Sequence, residues 1–183
     1  YKVDLSSAKQ ASQSAIDLMR AYADGTGNAG YDKTNVLPVN LVFDHQLVKV
    51  IINVTAGTGV DNLTGLAVKI KGMNTTADFA IDNPALSNEG TPLDITPYNV
   101  PNTSTFEAIL LPVALTTQTI EFTVGGNTYK WTINNNSNSN NVTSLVKGKI
   151  YTFNVTLKKT GVEVTGTITP WESAGAPTGG TAN

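Results

Sequence analysis

The chain has 183 residues, a formal net charge of −2 and only 14% charged residues, against about 25% in an ordinary soluble domain. One arginine (Arg20) and no basic cluster exclude nucleic acid as a partner. The absence of cysteine excludes thiol catalysis, disulfides and Cys-ligated zinc, and a single histidine, His45, cannot supply two imidazole metal ligands. No apolar run approaches the roughly 18 residues of a membrane-spanning helix. Polarity rests instead on 26 Thr and 19 Asn, which favour strands and turns respectively.

In chain order, residues 1–36 differ from the rest. Ala8, Ala11, Ala15, Leu18, Met19 and Tyr22 fall near helical spacing, with Ser6 or Ser7 as a cap, so periodicity predicts an amphipathic helix. The stretch is too short for a domain and needs a partner surface. The chain opens on Tyr1 with no signal peptide, which suggests a processed or trimmed product.

From residue 37 to 171 short strands follow one another. Leu37–Phe43 precedes Leu47–Thr55, which is apolar on both faces and reads as a central strand. Leu66, Val68 and Ile70 alternate with Ala67, Lys69 and Lys71; Phe106–Leu111 is stopped by Pro112. Ile120, Phe122 and Val124 lead through Gly125-Gly126 to Tyr129, Trp131 and Ile133, a hairpin whose two-glycine loop accepts positive φ. Asn134–Asn141 reads as a solvated loop. Tyr151–Lys158 alternates strictly, and Val162, Val164 and Ile168 point inward on the next strand. Residues 172–183 read as a flexible tail. Seven or more such strands predict an all-β, antiparallel sandwich.

Few residues offer chemistry. His45 is the one general base near neutral pH, but Asp44 beside it would point to the opposite face, so a structural histidine bonded to backbone is the favoured reading. Glu107 and Glu121 face away from the core; a glycosidase would need them paired on neighbouring strands, and a solvated face is the simpler reading. Asp24–Asp32 is rich in oxygen ligands but has Ala29 and Asn35 where a calcium loop requires Gly and Glu, so it reads as a linker. Among the aromatics, Trp131 belongs to the core and Trp171 plugs a sandwich end, which leaves Tyr98, between Pro97 and Pro101, as the candidate ligand-contacting ring. Seven Asn-x-Ser/Thr sequons, at Asn53, Asn62, Asn74, Asn102, Asn135, Asn141 and Asn154, arise by chance in such a composition. No catalytic, cofactor or metal site is assigned, and the chain reads as a non-enzyme.

Five segments then resemble one family in order. Asp17–Ala21 resembles a "DLMxA" strand, and Val39–Val50 carries FxHxLxKV on Phe43, His45, Leu47, Lys49 and Val50. Leu111-Pro112 is similar to an "LLP" step, Lys147–Phe153 to "GKxYxF", and Ile168–Trp171 to a closing "IxxW". These are motifs of the fimbrillin-like surface proteins of Gram-negative gut and oral anaerobes. The resemblance implies transthyretin-like (Ig-like) β-sandwich domains, exported as lipoproteins to the outer membrane and built into pili by strand exchange, as shaft, tip or anchor. It implies other subunits, or the chain itself, as partners through β-strand addition, with a host protein or glycan as a further partner and membrane contact only through a lipid anchor outside this sequence. It also makes residues 17–22 a strand rather than a helix, and leaves 6–16 open. Residues 1–36 would then be the last piece and linker of an N-terminal β domain, 37–171 the C-terminal sandwich, and 172–183 a tail without an apolar donor strand.

Overall fold

The structure is a computed structural model and describes residues 1–22, 39, 41–133 and 142–171. In chain order β1 (Lys2–Asp4) is followed by a 3-10 helix (Ser7–Ser12), α1 (Gln13–Ile16), β2 (Met19–Ala21), β3 (Phe43–His45), β4 (Val48–Ala56), β5 (Ala67–Asn74), β6 (Thr76–Phe79), β7 (Leu86–Ser87) and β8 (Pro92–Ile95). Then come β9 (Tyr98–Asn99), β10 (Thr105–Leu110), β11 (Val113–Ala114), β12 (Thr119–Val124), β13 (Asn127–Thr132), β14 (Ser144–Leu145), β15 (Lys149–Lys158) and β16 (Gly161–Pro170).

Two sheets form the sandwich, one in the order β16-β15-β4-β10-β9 and the other β13-β12-β5-β8. The alternation read from sequence places Val48, Val50, Ile52 and Val54 of β4 against Val68 and Ile70 of β5 and Ile120 and Phe122 of β12 in one apolar core. Leu47–Thr55 is central as predicted, since β4 lies between β10 and β15. The β4–β15 pair is parallel, and every other described pair is antiparallel. The Gly-Gly hairpin forms as expected: Val124 pairs with Asn127, and Gly125 and Gly126 take φ of 57° and 76°. A second positive φ, 76° at Gly72, marks the bulge where the β5–β8 register shifts between Ile70 and Met73.

Ile168 departs from the sequence reading. It is 49% exposed rather than inward. Its strand runs ten residues, whereas β13, the edge of the opposite sheet, runs six.

The N-terminal segment packs on the back of the five-stranded sheet. The amphipathic helix expected from periodicity is not found: the helical turns are a 3-10 stretch and one α turn ending at Ile16, with Ala8, Ala11 and Ala15 exposed, whereas Asp17 is extended and Met19–Ala21 is a strand, as the family pattern implies. Val3 and Leu5 join Leu47, Ala77, Phe79, Ile109 and Leu111 in a second apolar cluster, separate from the main core. Buried Gln10 fastens the segment there. Its side-chain amide accepts from the Ile109 N–H (2.9 Å) and donates to the Ile109 (3.0 Å) and Leu5 (2.8 Å) carbonyls, pairing with β10 as a neighbouring strand would.

Ionisable groups support β1. The Ser6 backbone N–H holds the Asp4 carboxyl below its ordinary pKa, and Lys2 at 2.6 Å does the same for Asp78 of β6. Lowered carboxylate pKa values stabilise the fold fully above the unfolded value and cease to do so as pH falls through the folded one. Acidification below about pH 4, the ordinary carboxylate range, is therefore expected to loosen β1 before the sandwich. Amide exchange should rise at Lys2–Asp4 while β4 and β12 stay protected; simultaneous loss would contradict this.

Candidate functional site

Four of the five sequence motifs, scattered over the chain, meet at one end of the sandwich, and Leu111 of the fifth packs with Leu47, Leu18 and Trp171 in the second apolar cluster. The Leu18 carbonyl accepts from the Gln46 N–H (2.8 Å), the Leu47 carbonyl from Gly148 (2.9 Å), and the Gly148 carbonyl from Trp171 (2.8 Å). This relay ties the N-terminal segment, β3, the start of β15 and the end of β16 together. Side chains complete it. The Asp17 carboxylate lies 2.9 Å from Nδ1 of buried His45, and the Trp171 ring stacks on the imidazole at 3.9 Å between centroids and 10° between planes. Lys147 donates to Gln46 Oε1 (3.0 Å), and Gln46 Nε2 to the Asp44 carbonyl (2.9 Å). A depression of about 300 Å³ here is lined by Arg20, Asp44, His45, Gln46, Lys147 and Trp171, with Pro84 and Gly148.

The histidine reading is corrected in one respect: its carboxylate partner is Asp17, 28 residues away, rather than backbone alone. The pair resembles a catalytic dyad only superficially. One face of the imidazole is covered by Trp171, and the described residues lining the depression include no hydroxyl or thiol for the pair to activate. Trp171 packs on the second apolar cluster, outside the main core, rather than plugging the sandwich interior, and Trp131 lies in the core.

The carboxylates are separated. Glu107 is on β10 and pairs with Lys49 at 2.9 Å; Glu121 is on β12, in the other sheet, 3.4 Å from Lys71. They do not form the pair that glycoside hydrolysis needs. Tyr98 sits on β9 directly across from Glu107 and is half-buried. Beside it the sheet carries a neutral ladder in which Thr105 Oγ1 donates to Asn53 Oδ1 (3.0 Å) and Asn53 Nδ2 to Asn154 Oδ1 (2.9 Å). The Asp24–Asp32 loop and Asn134–Asn141 lie outside the described residues.

The sandwich is asymmetric at its sides. One side ends in β9 and β8, of two and four residues. The other ends in β16 and β13, of ten and six, and β16 pairs only with β15 among the described residues. The ten β15–β16 pairs run without a bulge, and Glu163 is the strand's single charge. Apart from that charge and Pro170 at the strand's end, the described edge carries none of the usual devices that block further pairing.

A profile of the Fimbrillin-like family matches residues 1–171. The chain belongs to the fimbrillin-like family. A Bacteroides uniformis protein assigned as fimbrium subunit Fim1C is 33% identical over an alignment of 180 positions that covers 93% of this chain and 55% of that protein. A crystal structure of a B. uniformis protein assigned to cell adhesion superposes with a TM-score of 0.76 at 29% identity, over 94% of this chain and 66% of that one. A Bacteroides ovatus structure, also assigned to cell adhesion, shares the fold, with a TM-score of 0.68 at 21% identity, over 94% and 60%. This fimbrillin-like chain thus spans between about half and two thirds of these proteins' lengths.

Family membership makes it a fimbrial, cell-surface protein. It also gives the motifs a physical meaning, since four of them contribute pieces of the same junction. Three features escaped the sequence reading. Asp17 was visible only as a strand residue, Gln10 has no local pattern that marks it as buried, and the free side of the sandwich depends on pairing order.

Proposed function

We propose that this fimbrillin-like chain is a structural or accessory subunit, of tip or anchor type, in a cell-surface pilus, and that it joins its neighbours by strand complementation. The observation that carries this is the ten-residue edge of β16, which among the described residues has no partner on its outer side. Its unpaired N–H and C=O groups are satisfied by an incoming strand, which gives affinity without a deep pocket. The separate apolar cluster under residues 1–22 fits a segment that closes a preceding β domain, and the greater length of the relatives leaves room for one. The resemblance further implies an outer-membrane lipoprotein precursor.

An Ile168→Lys substitution tests the edge. Ile168 is half-exposed, so stability should change by no more than about 0.5 kcal/mol, while an added edge charge opposes pairing. Introduced into the gene in its own host, it is expected to shorten or remove fimbriae seen by negative-stain microscopy. Fimbriae of normal number and length would count against the proposal. Normal fimbriae with lost adhesion to sugars on deleting the Tyr98 ring would favour a second reading, a glycan-binding surface module built on Tyr98 and the neutral Asn53–Asn154 ladder.

A further inference from the structure

At the turn ends of β13 and β16, each a sheet edge among the described residues, the strands border a cleft of about 570 Å³, lined by Asn127–Lys130, Lys159–Val162 and Gly59. Its floor is apolar: Tyr129 and Val162 are half-buried and pack on the main core. Its rim is cationic. Lys130 and Lys159 are exposed, and no carboxylate lines the cleft. Among the described residues neither lysine has an ion pair, although Lys158 next door is matched with Glu163 and Glu121 across from Lys130 is taken by Lys71. Two lysines thus rim the cleft beside the described edge of β16, while Asp61 lines the adjoining depression that shares Gly59, Asn127 and Tyr129.

We infer that this cleft selects its partner: it takes an extended strand of another subunit whose apolar side chain seats on Tyr129 and Val162 and whose acidic side chains meet Lys130 and Lys159. The inference rests on the strand-complementation reading and adds the chemistry of the incoming strand. Strand alternation supplies it, because residues two apart share a face while their neighbours point the other way. An apolar residue can thus enter the cleft while acidic neighbours reach the rim. Charge complementarity at such a rim acts mainly on specificity and encounter rate.

The probes are three end-blocked decapeptides alternating valine with threonine, with two central polar positions occupied by Glu, Thr or Lys. Each is titrated into isotope-labelled protein at low salt and followed by amide shifts. The Glu peptide is expected to move amides of β13 and β16 and to bind about tenfold more tightly than the Lys peptide, as two exposed charge pairs allow. A Lys130→Ala, Lys159→Ala double variant, both positions being exposed, should remove that advantage and leave the Thr peptide unaffected. Equal binding of the Thr and Glu peptides would overturn the acidic selection and leave strand addition standing. No shift at β13 or β16 with any peptide would overturn strand addition there and this inference with it. If a glucuronate oligosaccharide moved the same amides in a lysine-dependent way and the Glu peptide did not, the cleft would belong to an acidic glycan and the inference would be wrong.

Discussion

Replacing Gln10 by leucine is expected to destabilise the docked N-terminal segment by about 3 kcal/mol, from three lost hydrogen bonds at about 1 kcal/mol each. Gln10 is 1% exposed, and its amide serves both the N–H and the C=O of Ile109. Leucine keeps nearly the same volume, so packing loss is minor. The cost arises because two buried backbone groups of β10 and the Leu5 carbonyl are left without a partner. The prediction is specific in place. Exchange protection should fall across Lys2–Ile16 and at Ile109, while the hairpin of β12 and β13, far from this contact in the pairing order, keeps its protection. A loss below about 0.5 kcal/mol, the scale of an ordinary surface change, would show that the segment is held by its β1 pairing and apolar contacts rather than by Gln10.

The second large effect is expected at Trp171. Truncation to alanine removes the ring stacked on His45 and its packing against the second apolar cluster. Complete burial would put the cost at 3–5 kcal/mol. Trp171 is half-buried, so about 2 kcal/mol is expected. Loss of the ring also uncovers the face of His45 and frees the Asp17–His45 contact to exchange with water. Chemical denaturation with a tryptophan-independent probe such as circular dichroism measures the stability change. A Trp171→Phe variant should recover most of it, since a flat ring can still stack. Failure of phenylalanine to recover stability, with alanine no worse, would mean that stacking on His45 is not what holds the junction.

Much of the fold could be read before any coordinates, and for one reason. Wherever a strand has one buried face, a period of two reports it directly, as in Tyr151, Phe153, Val155 and Leu157 of β15. The Gly125-Gly126 turn was equally local. Ile168 was misplaced because alternation says which way a side chain points, not whether the opposite sheet extends far enough to cover it. The site was harder. Asp17, His45 and Trp171 meet only after three separate segments have paired, and adjacency in sequence drew attention to Asp44 instead. Family resemblance marked all three positions without saying why they mattered. The edge position of β16 among the described residues has no local signature at all, because an edge strand and a central strand can share one alternation pattern; strand order alone separates them.

Hydrogen exchange at β16 tests the central claim most directly. The isolated chain is compared, amide by amide over Gly161–Pro170, with the same protein in fimbriae sheared from cells. Strand complementation predicts that the outward-facing amides exchange readily in the isolated chain and become strongly protected in the fimbria, with no comparable gain on β9 at the opposite side. Equal exchange of β16 in both states would contradict it.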